Sequence, residues 1–493
     1  MIVNKTVYAL SMTPDFPTWS NSFATQAHRL RTTLGPTLHQ FEVLLADYIP
    51  RFRLAQQDDG AHSRDRLWNF RLVFWTFLWQ IAQVGASCRE AIRQAQALAT
   101  TAGRKAPPDD SCPYCVARGK LPLERLQEIH DGLVEQTQRA VATGDLWCGL
   151  WVSVVDGSTV TLPDTPANQL AYPQQSAQKP GCGFPILRLV ALFSLATGLL
   201  SSWVTGTWHQ NELVLFQLLW EHLRADEVLL ADRGFCSWGL LAQCQRRSIH
   251  AVFRVRGPRR ADFRRGQRLS AQERLVQWSK PRQAQTTVEP AEWAGLPAQL
   301  TLRVVRCQLR IPGFRTQKVI LVTTLLDSVK YPPSALSQLY LRRWEMELTL
   351  RHLKTTLQME HLSCLKPENI QRELRFHLLV HNLVRRLMFE AAHRHGVPLT
   401  RVSFAGALAA ARRTSEALLQ ARTQRQRRRL MDELFRVLAA DLVPHRPGRR
   451  EPRALKRRPK PYALLTRPRH SFREVSHGNR YYKNSAFGPK YCK

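Results

Sequence analysis

The sequence predicts an α/β protein, a mixed sheet with helices packed on it, preceded by an α-helical N-terminal segment. Three observations predict this. Up to about residue 145, apolar residues recur at three- and four-residue spacing, the period of amphipathic helices. From about residue 146, β-branched strands alternate with helices, as in layered α/β folds. From about 256 to 318 a basic, irregular stretch leads into further strands before helix returns.

In the first segment, "FATQAHRLRTTLGPTLHQFEVLLADYI", "RDRLWNFRLVFWTFLWQIAQ", "SCREAIRQAQALATTA" and "LPLERLQEIHDGLVEQTQRAVAT" read as helices, most of them separated by Gly- and Pro-containing breaks. "CPYC" at Cys112–Cys115 has no second ligand pair at zinc spacing. It reads as a loop that opens the following helix.

"LWVSVVDGSTVTL" reads as a strand ending in a turn. "ILRLVALFSLATGLLSSWVTG" reads as a hairpin around Ala196-Thr197-Gly198. A helix from about Asn211, the buried strand "DEVLLAD", the helix "SWGLLAQCQRR" and the strand "HAVFRV" follow. "LTLRVVRCQLRI" and "QKVILVTTLLD" read as strands around a "PGFRT" turn. A long helix covers "PPSALSQLYLRRWEMELTLRHLKTTLQ", and more helix follows to about Ala421. The expected units are residues 1–145, 146–255, 256–318 (a strand-rich insertion), 319–425 and a basic tail, 426–493. Within the tail, Arg446 to Arg469 holds ten Lys or Arg and one acid, the composition of a disordered arm.

Composition limits the function. Of 493 residues, 72 are Lys or Arg and 38 are Asp or Glu, a formal charge of +34. A chain this basic calls for a polyanionic partner, nucleic acid first. An anionic membrane surface fits less well, because no basic amphipathic anchor stands out. The N-terminus lacks the long apolar core of a signal peptide. The apolar run from Leu72 is too short and interrupted to span a bilayer. Ten cysteines without a framework suit a reducing cytoplasm.

The chemistry gathers around "YLRRWEMELTLRHLK", Tyr340 to Lys354. On a helix, Arg343, Glu347, Arg351 and Lys354 fall within roughly 60° of Tyr340. Arg342, Glu345, Thr349 and His352 form an opposite polar stripe, with apolar flanks between. A surface helix needs only one polar face, so one of these two can be solvent and the other must face something polar, such as a cleft, a metal or a phosphate chain. Asp156, in "WVSVVDGST", and Asp232, in "EVLLADRGF", each end an apolar strand, where sites gather in α/β folds. Three such carboxylates repel one another unless divalent cations lie between them. Oxygen ligands favour Mg²⁺ or Mn²⁺, and two ions roughly 4 Å apart suit phosphodiester chemistry.

These motifs resemble a known family. Tyr340, Arg343, Glu347 and Lys354, at intervals of two, three and six intervening residues, resemble the "YREK" signature of the DDE transposases of insertion-sequence family four. "DGST", "ADRGF", "TGTWHQNELVL" (with His209 and Glu212) and "TTLLD" extend the resemblance from about residue 150 to 405. It implies a ribonuclease-H-like core with Asp156, Asp232 and Glu347 as catalytic metal ligands. It implies that Tyr340, Arg343 and Lys354 contact DNA near the cleaved end. It implies that Trp278, in the strand-rich insertion, takes up a flipped base. The helical N-terminal segment would read terminal inverted repeats, and a homodimer would form on DNA. His209 and Glu212 also suit an ordinary helix start. A catalytically inactive DNA-binding derivative and a metal-dependent nuclease are the alternative readings. "SHGNRYYKNSAFGPKYCK" carries no reading.

Overall fold

A computed structural model describes residues 39–55, 67–255, 263–309, 317–444, 467–468 and 471. Most of the first expected helix, the "PGFRT" turn and nearly all of the expected basic arm lie outside the described residues.

The N-terminal layer contains α1 (Gln40–Leu44), α2 (Phe70–Ala82), α3 (Cys88–Thr101), α4 (Cys112–Arg118) and α5 (Leu123–Arg139). Asn69 caps α2, its side chain accepting from Leu72 N at 3.0 Å. Every residue of α2 except Leu72 is buried, as expected for a helix apolar on all sides. Ser87 and Glu90 form a capping box on α3. "CPYC" is not a loop but the first turn of α4, with proline tolerated near the helix start. Tyr114 anchors that turn, fully buried with its hydroxyl donating to Gln80 Oε1 at 2.9 Å.

The sheet contains β1 (Val152–Thr161), β2 (Ile186–Ser194), β3 (Leu200–Thr207), β4 (Val228–Ala231), β5 (His250–Arg254), β6 (Gln267–Ser270), β7 (Glu273–Ser279), β8 (Gln299–Leu309) and β9 (Gln317–Thr323). Its order is β3-β2-β1-β4-β5-β9-β8-β7-β6. β1, β4 and β5 are mutually parallel, and the remaining pairs are antiparallel. The first five strands have the ribonuclease-H-like arrangement. The expected strand-rich region does not form a separate sheet: β9 pairs with β5 and carries β8, β7 and β6 outward on the same sheet. At the β2–β3 turn Gly198 has φ +69, and the Arg385 guanidinium fills the space a Cβ would need.

Each face of the sheet has its own apolar cluster. Val152, Val154, Val228, Leu230 and Val252 point into one, together with the N-terminal helices. Val155, Leu229, Ala231 and Phe253 point into the other. This alternation, the two-residue period of a strand, decides which face each later residue joins. The first face is covered by α6 (Pro333–Arg351), a π-helical turn (His352–Thr356) and α7 (Pro367–His395). Phe376 of α7 meets Phe77 of α2 at 4.2 Å between ring centroids. Buried Arg303 of β8 pairs with Glu273 and donates to the carbonyls of Tyr331 at 2.8 Å and Asp327 at 3.2 Å. It thereby ties the sheet to the segment leading into α6.

Candidate active site

Asp156 is not at a strand end. β1 continues to Thr161, because β2 pairs with it as far as the Thr161–Ile186 couple. β4 pairs only from Val152–Val228 to Val154–Leu230, so Asp156 lies where β1 outruns β4. Asp232 directly follows β4. Both aspartates are two residues beyond the Val154–Leu230 couple, which sets them side by side on strands roughly 4.8 Å apart. They share the parity of Val154 and Leu230, so both belong to the face that α6 covers. Each is steadied by a backbone amide, Gly157 N donating to Asp156 Oδ1 at 2.9 Å and Gly234 N to Asp232 Oδ1 at 2.7 Å.

On α6, Leu336, Leu339, Met346 and Leu350 pack against the core. Arg343 Nη2 donates to Glu347 Oε1 at 2.7 Å, and Arg343 Nη1 lies 4.0 Å from Asp156 Oδ2. Glu345 faces away: it accepts from Arg342 at 2.9 Å, and its charge supports buried Arg385. The two polar stripes of the helix are thus both accounted for, one at the aspartates and the other at an internal arginine.

The charges are unevenly balanced. The Asp156 carboxyl is pushed up to about 6, first by burial and then by the nearby Asp232 and Glu347 carboxylates, against the pull of Arg343 and the Gly157 amide. Burial opposes the Arg343 charge, but Tyr340, Glu347 and Asp156 outweigh it and hold the guanidinium above its usual range. Among the described residues no group of three or more His, Cys, Asp or Glu side chains is gathered as ligands. Arg343, bridging Glu347 towards Asp156, takes a cation's place between them. Carboxylate oxygens repelling one another in a half-buried cleft are the donor set that hard divalent cations suit.

The other expected site residues are placed differently from one another. Tyr340 is only 4% exposed, with the Arg343 guanidinium 5.9 Å from its ring centre. Burial raises its hydroxyl. Lys354 is not on the α-helix: α6 ends at Arg351, and Lys354 lies in the π-helical turn. The extra residue per turn rotates it from the stripe extrapolated at α-helical pitch. Trp278, half-buried on β7, packs with the cluster on the opposite face of the sheet, away from the carboxylates. His209 is exposed. The Glu212 carboxylate lies against Gly157 so closely that a Cβ there would be 2.4 Å from Oε1, which requires glycine after Asp156 unless Glu212 moves.

One residue escaped the sequence reading. The Ala231–Phe253 couple puts Arg254 beside Asp232 at the end of the next parallel strand. Its parity matches Val252, on the α6 face, and its charge acts on Tyr340. The available signal was a cation closing one buried strand beside a carboxylate closing the next.

A model of the transposase DDE domain family matches residues 147–383. The ribonuclease-H-like sheet and this match define a DNA-cleaving and strand-transfer enzyme of the DDE class. Over 324 residues the chain is 31% identical to the transposase InsG of insertion sequence element IS4 from Escherichia coli (strain K12), covering 64% of this chain and 70% of that protein. This chain belongs to the IS4 family of DDE transposases. A solved piggyBac transposase synaptic complex with hairpin DNA aligns over 83% of this chain and 87% of that one, at 11% identity and a TM-score of 0.41. Among the described residues no helix is long and apolar enough to cross a membrane.

Proposed function

We propose that Asp156, Asp232 and Glu347 hold two divalent cations, Mg²⁺ or Mn²⁺, and that this site cuts the ends of an insertion sequence and joins them to target DNA. The observation that carries the reading is the gathering of carboxylates: Asp156 and Asp232 stand side by side beyond the Val154–Leu230 couple, and Arg343 reaches from Glu347 towards Asp156. Bound there, divalent cations would activate a water or 3′-hydroxyl and stabilise the departing oxygen.

The protein's own groups supply the rest. Asp156 and Asp232 offer oxygens from a rigid sheet, whose strands fix their separation. Glu347, more exposed, turns to them once its pair with Arg343 opens. Arg343 is then free to hold a DNA phosphate, with Tyr340 beneath it setting its direction. Arg254 and Lys354 extend the cationic rim. Trp278, on the far face, is not part of this set. The expected tail does not begin at 426, because Gln424–Ala440 forms a helix that packs Leu434, Phe435 and Leu438 into the core. We assign the helices before residue 146 to the terminal inverted repeats, the basic arm from Arg446 onward to the DNA backbone, and the active species to a homodimer. The chain's +34 charge supports both DNA contacts.

The test is strand transfer from a pre-cleaved end into a plasmid. The wild type should join the end in Mg²⁺ or Mn²⁺, whereas Asp156→Asn should bind it without joining. Cutting without joining by the wild type would favour a nuclease, and binding alone an inactive derivative.

A further inference from the structure

A cavity of about 320 Å³ lies away from the carboxylates, between the N-terminal helices and the segment that joins the π-helical turn to α7. Cys88, Cys115 and Cys364 line it, with Arg118, Lys366 and Arg372. Arg118 is 8% exposed, and its guanidinium lies 3.8 Å from the Phe77 ring centre. From Nη1 it donates to Cys88 Sγ, and from Nη2 to Cys364 Sγ, both at 3.3 Å. Among the described residues no carboxylate lies at ion-pair distance from it, and the Glu373 charge reaches it only from further off. A guanidinium remains charged even when buried, and a buried charge without a negative partner is costly. A thiolate at Cys88, in direct contact with Nη1, supplies a nearer negative partner than Glu373.

Three further features favour the thiolate. Cys88 is the first residue of α3, where unpaired amides and the helix dipole stabilise an anion. Gln80 Nε2 donates to its sulfur at 3.7 Å. Cys115, which lines the same cavity, exerts the largest of the effects that lower its proton affinity, ahead of the opposing burial and the help from Arg118, with Glu373 opposing more weakly. Cys88 is also half-exposed and opens on the cavity, unlike the buried Cys236, Cys244 and Cys307.

We propose that Cys88 is a reactive thiolate oxidised by hydroperoxides, and that Cys115 resolves the product to a Cys88–Cys115 disulfide. The Cys88 sulfur attacks one peroxide oxygen. An S–O bond forms and the O–O bond breaks. The other oxygen leaves as hydroxide or alkoxide and takes a proton from water. Sulfur has lost two electrons and the peroxide has gained them. The Cys115 thiol then gives up its proton, and its sulfur attacks Cys88. The S–S bond forms, the S–O bond breaks, and the hydroxyl leaves with that proton as water. The product links α3 to α4 and removes the nearest negative partner of Arg118.

The test uses the full-length wild-type chain, with iodoacetamide at pH 6 and mass spectrometry of each cysteine peptide. A free thiol is ionised there to only about a few tenths of a per cent, but a more acidic thiolate is also intrinsically less nucleophilic. Cys88 should therefore label roughly tenfold faster than exposed Cys112 and Cys148. Dilute hydrogen peroxide should then join the Cys88 and Cys115 peptides. In Cys115→Ser, dimedone should trap a sulfenic acid at Cys88. Labelling of Cys88 no faster than of Cys112, or a disulfide from Cys88 to Cys364 instead, overturns the proposal.

Discussion

Arg343 donates to Glu347 at 2.7 Å while standing 4.0 Å from Asp156, so one guanidinium serves two carboxylates that a metal would also claim. On the proposed function, arginine and cation compete for the same oxygens. Arg343→Gln should therefore tighten Mn²⁺ binding in the absence of DNA. An exposed pair of this kind is worth roughly 0.5–1 kcal/mol, or about two- to fivefold in affinity. Strand transfer should nevertheless fall, because the group proposed to hold a DNA phosphate is gone. Titration followed by Mn²⁺ electron paramagnetic resonance reads the first effect. Weaker Mn²⁺ binding would mean that Arg343 supports the ligands and does not compete with a cation.

Asp156 should make stability fall as pH rises. Its folded value, about 6, lies above the ordinary 3.8. Below pH 4 the group is protonated in both states and adds nothing. Between about 4 and 6 the unfolded chain ionises first, so the folded state loses on the order of 3 kcal/mol, and the loss persists above pH 6. Metal-free Asp156→Asn should thus melt higher than wild type at pH 7.5, with the gap closing near pH 4. Adding Mg²⁺ should raise the wild-type melting temperature and leave that of the variant nearly unchanged. Equal melting of the two metal-free proteins at both pH values would remove the electrostatic argument.

Arg254 sits beside Asp232 at the adjoining strand end. Arg254→Gln should weaken binding of a pre-cleaved end and reduce the slope of log K against log salt by about 0.9, one phosphate contact. The fold should survive, since the residue closes a strand and does not fill the core. Binding measured by fluorescence anisotropy across salt concentrations reads the slope, and an unchanged slope would show that Arg254 serves only the carboxylates.

Legibility followed the range of the forces involved. Short apolar runs announced β4 and β5, and the β2–β3 hairpin was plain from its Ala-Thr-Gly turn. Asp156 was misplaced at a strand end because Asp-Gly-Ser has turn chemistry. The distant β2 keeps it extended. The phase of α6 could be read as far as Arg351, since an α-helix turns by a fixed angle. It could not be read through Lys354, where a π-helical turn depends on packing around Leu353 and Leu357, both buried. "CPYC" hid its helix behind a proline that is harmless in a first turn. Trp278 was identified by its neighbourhood in sequence, but which face of β7 it joins depends on register with β8, where it pairs with Leu300. Arg254 needed the β4–β5 register before it could be placed beside Asp232.

Glu345 and Glu347, two residues apart on α6, divide the labour of the helix. Glu347 shares Arg343 with Asp156, whereas Glu345 pairs with Arg342 and supports Arg385 on the other side of the helix. The measurement is plasmid excision by Glu347→Gln and Glu345→Gln, with thermal melts of both. Glu347→Gln should fold normally and lose excision by orders of magnitude. Glu345→Gln should lose about 1 kcal/mol of stability, the usual scale for a weakened charged hydrogen bond, and still excise. Excision by Glu347→Gln at the wild-type rate, with Glu345→Gln folded but inactive, would contradict the assignment of the third carboxylate.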